Sequence, residues 1–307
     1  MWPDGYYVTY NMFANGQSFS GGWVCAMNRA QMLAGGAATQ QCFNLGTSYG
    51  GLLPSDLDGP TLPPAGTPNY VMSFGTNRLN VWKFHVDWVN SANTTLTGPT
   101  ALTTASFNRG CNGGACVPQP STSQKLDSLA DRLMYRLAYR QTSASTASLV
   151  VNHTVAVTNK ARTGQTGLRW YEVRTNAAGT PSLFQQGTFT NGTGTGDGHY
   201  RWMGSAAMDK AGNIALGYSV ASKTLQAAVR FTGRGPGDAA GTMGAEFTIQ
   251  NGTGSQTTGL SRWGDYSSLS VDPDDDCTFW FTSEYLKTNG TWNWSTRINS
   301  FKLNNCQ

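Results

Sequence analysis

Arg262-Trp263-Gly264-Asp265-Tyr266-Ser267-Ser268-Leu269-Ser270-Val271-Asp272 is followed by Pro273 to Asp276 and then by Cys277-Thr278-Phe279-Trp280-Phe281-Thr282. Apolar and hydroxyl residues alternate on both sides of an Asp-rich turn, which predicts strand, acidic turn, strand. A shorter version stands upstream. Arg201-Trp202-Met203-Gly204-Ser205-Ala206-Ala207-Met208-Asp209 leads through Lys210 to Asn213 into Ile214-Ala215-Leu216-Gly217-Tyr218. The same plan twice predicts a repeated β-sheet unit.

Working outward, five such units can be marked. They cover residues 1–50, 51–110, 125–190, 198–255 and 260–307, within a single domain spanning 1–307. Each holds three or four short strand patterns, as in the second unit: Leu52 to Gly59, Tyr70 to Phe74, Leu79 to Trp88 and Thr94 to Leu102. Helical periodicity is confined to Arg29–Leu33 and Gln124–Leu133. The expected fold is therefore all-β, a five-bladed β-propeller, or six-bladed if sequence upstream is missing. The first unit lacks an inner strand. The expectation is that another strand completes it, from the chain itself or from a partner, because closing the ring removes exposed sheet edges.

Composition narrows the function class. Only 12% of the 307 residues are charged, while glycine numbers 37. That balance suits short strands joined by tight turns. The net charge of +4 is small and the basic residues are scattered, so nucleic acid is not an expected partner. No stretch approaches the length of a membrane-spanning helix.

The six cysteines contain no Cys-x-x-Cys pair, and proximity predicts Cys25–Cys42, Cys111–Cys116 and Cys277–Cys306. Three disulfides imply an oxidising compartment, hence a secreted or cell-surface protein. The N-terminal stretch lacks the basic start and apolar run of a leader, so the expectation is a mature chain whose leader has been removed. The Gly192 to Gly198 run is read as a loop, not a phosphate cradle.

The turn acids read first as turn structure, since Asp and Asn accept hydrogen bonds from turn amides. Asp272, Asp274 and Asp276 could also present oxygen ligands to Ca²⁺, although the EF-hand spacing is absent. No other cofactor is called for.

Ser270-Val271-Asp272 with Thr278-Phe279-Trp280 resembles a stretched Asp-box of sialidase-like propellers, with an insertion before Thr278 and without the usual glycine. Five blades look more like arabinanase-type glycosidases. The Arg-Trp-Gly-Asp-Tyr-Ser-Ser segment, the Asp-Cys-Thr-Phe-Trp-Phe-Thr segment and Leu126 to Arg136 resemble uncharacterised secreted bacterial β-propeller proteins. In such proteins the loops entering the inner strands gather on one face. The resemblance implies that this face carries Asp56, Asp127, Asp131, Arg132, Arg201, Trp202, Arg262, Trp263, Asp265 and Tyr266, with His153, Tyr218 and Glu284 approaching it.

That mixture suits a glycan. Two carboxyl groups can work across a glycosidic bond, arginine holds an acidic sugar's carboxylate, and tryptophan offers a flat apolar face. Asp265 and Glu284 form the preferred acidic pair, and Arg132, Arg201 and Arg262 the anion clamp. Sialidase-like chemistry would use Tyr266 with Glu284, and an arabinanase-like site Asp56, Asp131 and Asp265. His153 could be a lyase's proton shuttle or a structural hydrogen-bonding residue. The leading expectation is a glycan-directed protein, with hydrolysis of acidic, plant or microbial polysaccharide as the activity it would carry. The alternatives are a non-catalytic binding or adhesion module and an assembly subunit. A further possibility keeps the arginines and aspartates as buried bridges between units, with tryptophans filling the wedges.

Overall fold

A computed structural model describes residues 2–158, 160, 162, 164–191 and 196–307. Met1 and residues 192–195 of the predicted glycine loop lie outside the described residues. The fold is all-β, about 49% strand and 4% helix, and part of it forms one strongly curled half-barrel sheet.

The first meander comprises β1 (Gly5–Ala14), β2 (Ser18–Asn28) and β3 (Gln40–Asn44), in that order across a three-stranded sheet. A single helical turn, α1 (Arg29–Leu33), follows β2, with the Asn28 side chain accepting the Gln31 amide as its N-cap. The second meander is β4 (Leu53–Asp58), β5 (Asn69–Gly75), β6 (Arg78–His85) and β7 (Thr95–Thr103). Three short pieces follow: β8 (Asn108–Arg109), β9 (Ala115–Val117) and β10 (Leu126–Asp127). The predicted helical turn at 124–133 is therefore β10 and turns. Next come β11 (Met134–Gln141), β12 (Ala147–Ala156), β13 (Thr166–Thr175) and β14 (Pro181–Phe189). The fourth meander is β15 (Tyr200–Met208), β16 (Ile214–Ala221), β17 (Ala228–Arg234) and β18 (Phe247–Gln250). The last is β19 (Ser268–Val271), β20 (Phe279–Tyr285) and β21 (Ser295–Phe301).

The second and third meanders are not separate sheets. They merge through a parallel pairing of β4 with β11 into one nine-stranded sheet. The cause is local. β4 pairs with β5 only at Leu53 and Pro54. Beyond that point the Asn69 side chain takes the place of a strand, accepting the Ser55 amide at 3.2 Å and donating to the Ser55 carbonyl at 2.8 Å. Ser55 to Asp58 are thereby released to pair with Leu137 to Arg140. Backbone groups must be satisfied somewhere, and here the neighbouring meander supplies them.

Successive meanders pack face to face. Val24 and Ala26 meet Val71, Trp82 and Phe84 between the first and second. Leu168, Trp170 and Phe189 meet Met208, Leu216 and Tyr218 between the third and fourth. Ala207, Ala215 and Val229 meet Leu269, Phe279 and Phe281 between the fourth and fifth. A side chain of this size contributes about 1.5–3 kcal/mol when fully buried. Gly217 lets the last two meanders approach closely: a Cβ there would lie 2.4 Å from the Phe281 ring.

β11 also pins the interior by charge. Arg136 donates to Asp58 at 2.6 Å, to Asp56 at 3.0 Å and to the Leu269 carbonyl at 3.4 Å. Four residues further along β11, Arg140 grips Asp276 with two hydrogen bonds and donates to the Met208 carbonyl at 2.7 Å. Buried arginine–aspartate bridges between units are thus present, carried by Arg136 and Arg140.

All three predicted disulfides are present, Cys25–Cys42, Cys111–Cys116 and Cys277–Cys306, and no cysteine is free. The last joins residues 29 apart and ties the turn before β20 to the segment after β21. From the loop length, replacing both Cys277 and Cys306 by serine is expected to cost roughly 3–4 kcal/mol. A guanidinium titration reads this as a lower midpoint, and an unchanged midpoint would contradict it. Among the described residues no helix is long and apolar enough to cross a membrane.

Candidate functional site

The Arg262–Ser267 loop enters β19 and is held from below by the fourth meander. Trp263 is buried, and its indole N–H donates to Ser219 Oγ at 3.1 Å. Its ring lies 6.4 Å from that of Trp202, and both belong to one apolar cluster with Met203 and Leu286. β15 bulges between Trp202 and Ser205, where Met203 adopts a positive φ of 51°. The bulge receives the loop: Ser267 Oγ donates to the Met203 carbonyl at 3.3 Å, and the Leu269 amide donates to Ser205 Oγ at 2.9 Å. Gly264 has φ 65°, a left-handed conformation that glycine adopts without strain. Two tryptophans therefore anchor the loop, from which Arg262, Asp265 and Tyr266 reach the surface.

Those residues line a cavity of about 250 Å³ between Arg262, Asp265, Tyr266, Glu284, Trp292 and Trp294. Glu284, near the end of β20, accepts the Gly264 amide at 2.9 Å. Burial pushes its carboxyl up to about 7; the Gly264 amide opposes this, and the nearby Asp265 charge adds to it. Asp265 itself is ion-paired with Arg262. Tyr266 is 91% exposed and Trp292 70% exposed, so both rings stand at the rim.

Trp294 packs edge-to-face on Trp292 at 5.2 Å and donates its indole N–H to Gln256 Oε1 at 2.7 Å. Gln256 is buried and braces this wall, donating from Nε2 to the Leu260 and Arg262 carbonyls. Trp292, Trp294 and Gln256 were not singled out from the sequence. The alternation Trp292-Asn293-Trp294 in a polar loop is the one signal that could have found them.

The raised Glu284 carboxyl has a consequence for stability. The folded state holds this proton more tightly than the unfolded chain, where a glutamate titrates near 4.5. The resulting stabilisation is complete below that value and is lost as pH rises through about 7. Glu284→Gln removes the dependence, so its stability relative to the parent should rise between pH 5 and pH 8. Thermal melts at the two pH values check the sign; a constant difference would contradict it.

The other predicted site residues lie elsewhere. Arg201 is fully buried, bonded twice to Asp197 and twice to Glu246, and also to the Thr190 carbonyl at 2.8 Å. Its donors are spent inside the fold, so it offers no clamp to a ligand. Tyr218 is buried and donates to Glu246 at 2.8 Å, and Trp202 is core. Asp56 pairs with Arg136. His153 is buried among Phe74, Phe107 and Tyr171, with Nε2 2.9 Å from the Tyr171 hydroxyl. Burial, with a contribution from Arg169, pushes its imidazole down to about 3. A neutral, enclosed histidine does not shuttle protons to a ligand near pH 7, which leaves its structural reading. Asp127 accepts the Leu129 amide at 2.8 Å. Asp131 and Arg132 form a two-point ion pair at 2.8 and 3.0 Å in a separate, larger cleft.

The acidic turn is engaged piecemeal. Asp272 accepts the Asp274 amide and the Trp280 indole N–H, Asp275 accepts the Cys277 and Thr278 amides, and Asp276 pairs with Arg140. Among the described residues no group of three His, Cys, Asp or Glu side chains is disposed to hold a metal ion. Turn structure accounts for these acids.

No protein-family model matches this chain, and no curated protein matches it. The chemistry of the site is therefore read from its own residues.

Proposed function

We propose that this is a secreted, glycan-directed protein that hydrolyses a glycosidic bond at the Asp265–Glu284 cavity. The observation that carries the reading is the pair itself: a carboxyl group pushed up to about 7 beside a second carboxylate, inside an aromatic-walled cavity. Glu284, protonated near neutral pH, donates to the leaving glycosidic oxygen as the C–O bond breaks. Asp265 faces the developing positive charge at the anomeric carbon and acts as base or nucleophile, and water completes the hydrolysis. Tyr266, Trp292 and Trp294 offer rings against which a sugar can lie. No cofactor enters the reaction.

Four of the five meanders meet at the Arg136 and Arg140 bridges, which supports reading the architecture as a five-bladed propeller. The three disulfides support an extracellular location. A second reading, non-catalytic glycan binding, is favoured by the exposure of Tyr266 and Trp292.

A panel of acidic and neutral polysaccharides, assayed for new reducing ends and for quenching of tryptophan fluorescence, separates the two. Hydrolysis that disappears in Asp265→Asn supports the first. Quenching without new reducing ends, unchanged in Asp265→Asn, overturns it in favour of the second.

A further inference from the structure

A second concavity lies apart from the carboxylate pair. It measures about 760 Å³ and opens between the β1–β2 hairpin, the β5–β6 turn and the chain around β8. One wall is aromatic. Phe13 and Phe19 sit at the hairpin tip with their rings edge-to-face at 5.8 Å, and Phe13 is 50% exposed. Phe74 and Phe107 meet edge-to-face at 5.5 Å across from them.

Gly50, Gly51 and Gly75 line the cleft with no side chain of their own, so it has low relief. At Gly51 a Cβ would lie 2.8 Å from Arg132 Cβ, so glycine is what admits Arg132 to the wall. The charge balance is one-sided. Asp131 is neutralised by its two hydrogen bonds from Arg132. Arg109 is exposed and makes no side-chain hydrogen bond or ion pair among the described residues. A lone guanidinium in a concave, aromatic-walled cleft is suited to an anion carried on a flat ring.

We propose that this cleft binds a polyanionic glycan. Arg109 holds a carboxylate or sulfate of the chain, and Phe13 and Phe19 lie against its sugar rings. The cleft would hold non-reacting sugars of the same polymer that is cut at the carboxylate pair, so in that respect the inference rests on the hydrolase reading. The hydrogen bonds that Arg132 donates to Asp131 chiefly hold its guanidinium above its usual range, and Asp265, of the other cavity, adds to that effect.

Titration calorimetry with equal-length oligomers of a uronic acid, a sulfated sugar and a neutral glucan tests this, with an oligoglutamate of matched charge as control. Binding is measured in the Glu284→Gln protein, which should turn ligand over about 10²–10⁴-fold more slowly, and turnover in the parent. At least one polyanionic sugar should bind, more weakly as salt rises, and Arg109→Gln should weaken it about tenfold or more. Arg109→Lys should recover part of that loss. Whichever of the uronate and the sulfated sugar binds more tightly identifies the anionic group.

Equal affinity for the neutral glucan, equal affinity for oligoglutamate, or an affinity untouched by Arg109→Gln would overturn the proposal. Arg109-dependent binding without turnover in the parent overturns the hydrolase reading and leaves this one standing. Turnover of a neutral glycan with no dependence on Arg109 does the reverse.

Discussion

Arg136→Met is expected to destabilise the protein by roughly 3–5 kcal/mol, because it leaves a buried aspartate without its partner. Arg136 is almost completely buried, and Asp58 beside it is buried as well. Burial disfavours the guanidinium's charge, but Asp58 and Asp56 more than offset that and hold its pKa above the ordinary arginine value. Methionine fills much of the same volume, so the loss is one of charge pairing and not of packing. The same side chain donates to the Leu269 carbonyl on β19, so three strands from three meanders lose a common tie. Urea titration at pH 7 measures the effect as a lower midpoint at similar slope. Adding Asp58→Asn should recover part of the loss by removing the stranded charge. A loss below about 1 kcal/mol would mean that water reaches Asp58 and that the cluster is not a dry one.

Glu284→Gln should lower turnover at the proposed site by about 10²–10⁴-fold, the usual contribution of a general acid. Glutamine has nearly the same shape, and its carbonyl oxygen can still accept the Gly264 amide that Glu284 Oε1 accepts at 2.9 Å. The loop and the aromatic rim should therefore persist, and the loss should fall on kcat more than on KM. In the parent, activity should decline as pH rises through about 7, where Glu284 gives up its proton. That alkaline limb should be absent from the residual activity of the variant. A variant retaining activity within about fivefold would remove Glu284 from the acid's role.

Much of the fold was legible because its signals are local. Strand alternation and Asp–Gly turns act over a few residues, and they located the five meanders. The cysteine pairs followed from proximity, and all three proved correct. Asp265 and Glu284 were expected on one face from the resemblance to propeller proteins, and both line one cavity. The two Trp signatures, Trp202 and Trp263, also converge, but as a buried foundation for the loop.

The arginines were read less well, and the reason is physical. Arg132, Arg136 and Arg140 are spaced by fours on one short stretch, and nothing in their residue type separates them. Arg132 stays at the surface with Asp131, while Arg136 and Arg140 turn inward. That outcome depends on β4 leaving β5 after Pro54 and pairing in parallel with β11, which brings Asp56 and Asp58 to Arg136. A parallel contact between segments about 80 residues apart leaves no periodic trace in either.

By itself, then, the sequence determined the all-β class and the disulfide pairs, since each rests on chemistry between near neighbours in the chain. Only the tertiary structure decided which charges are buried ties and which face solvent. That choice is settled by which distant carboxylate arrives to offset the cost of removing each guanidinium from water.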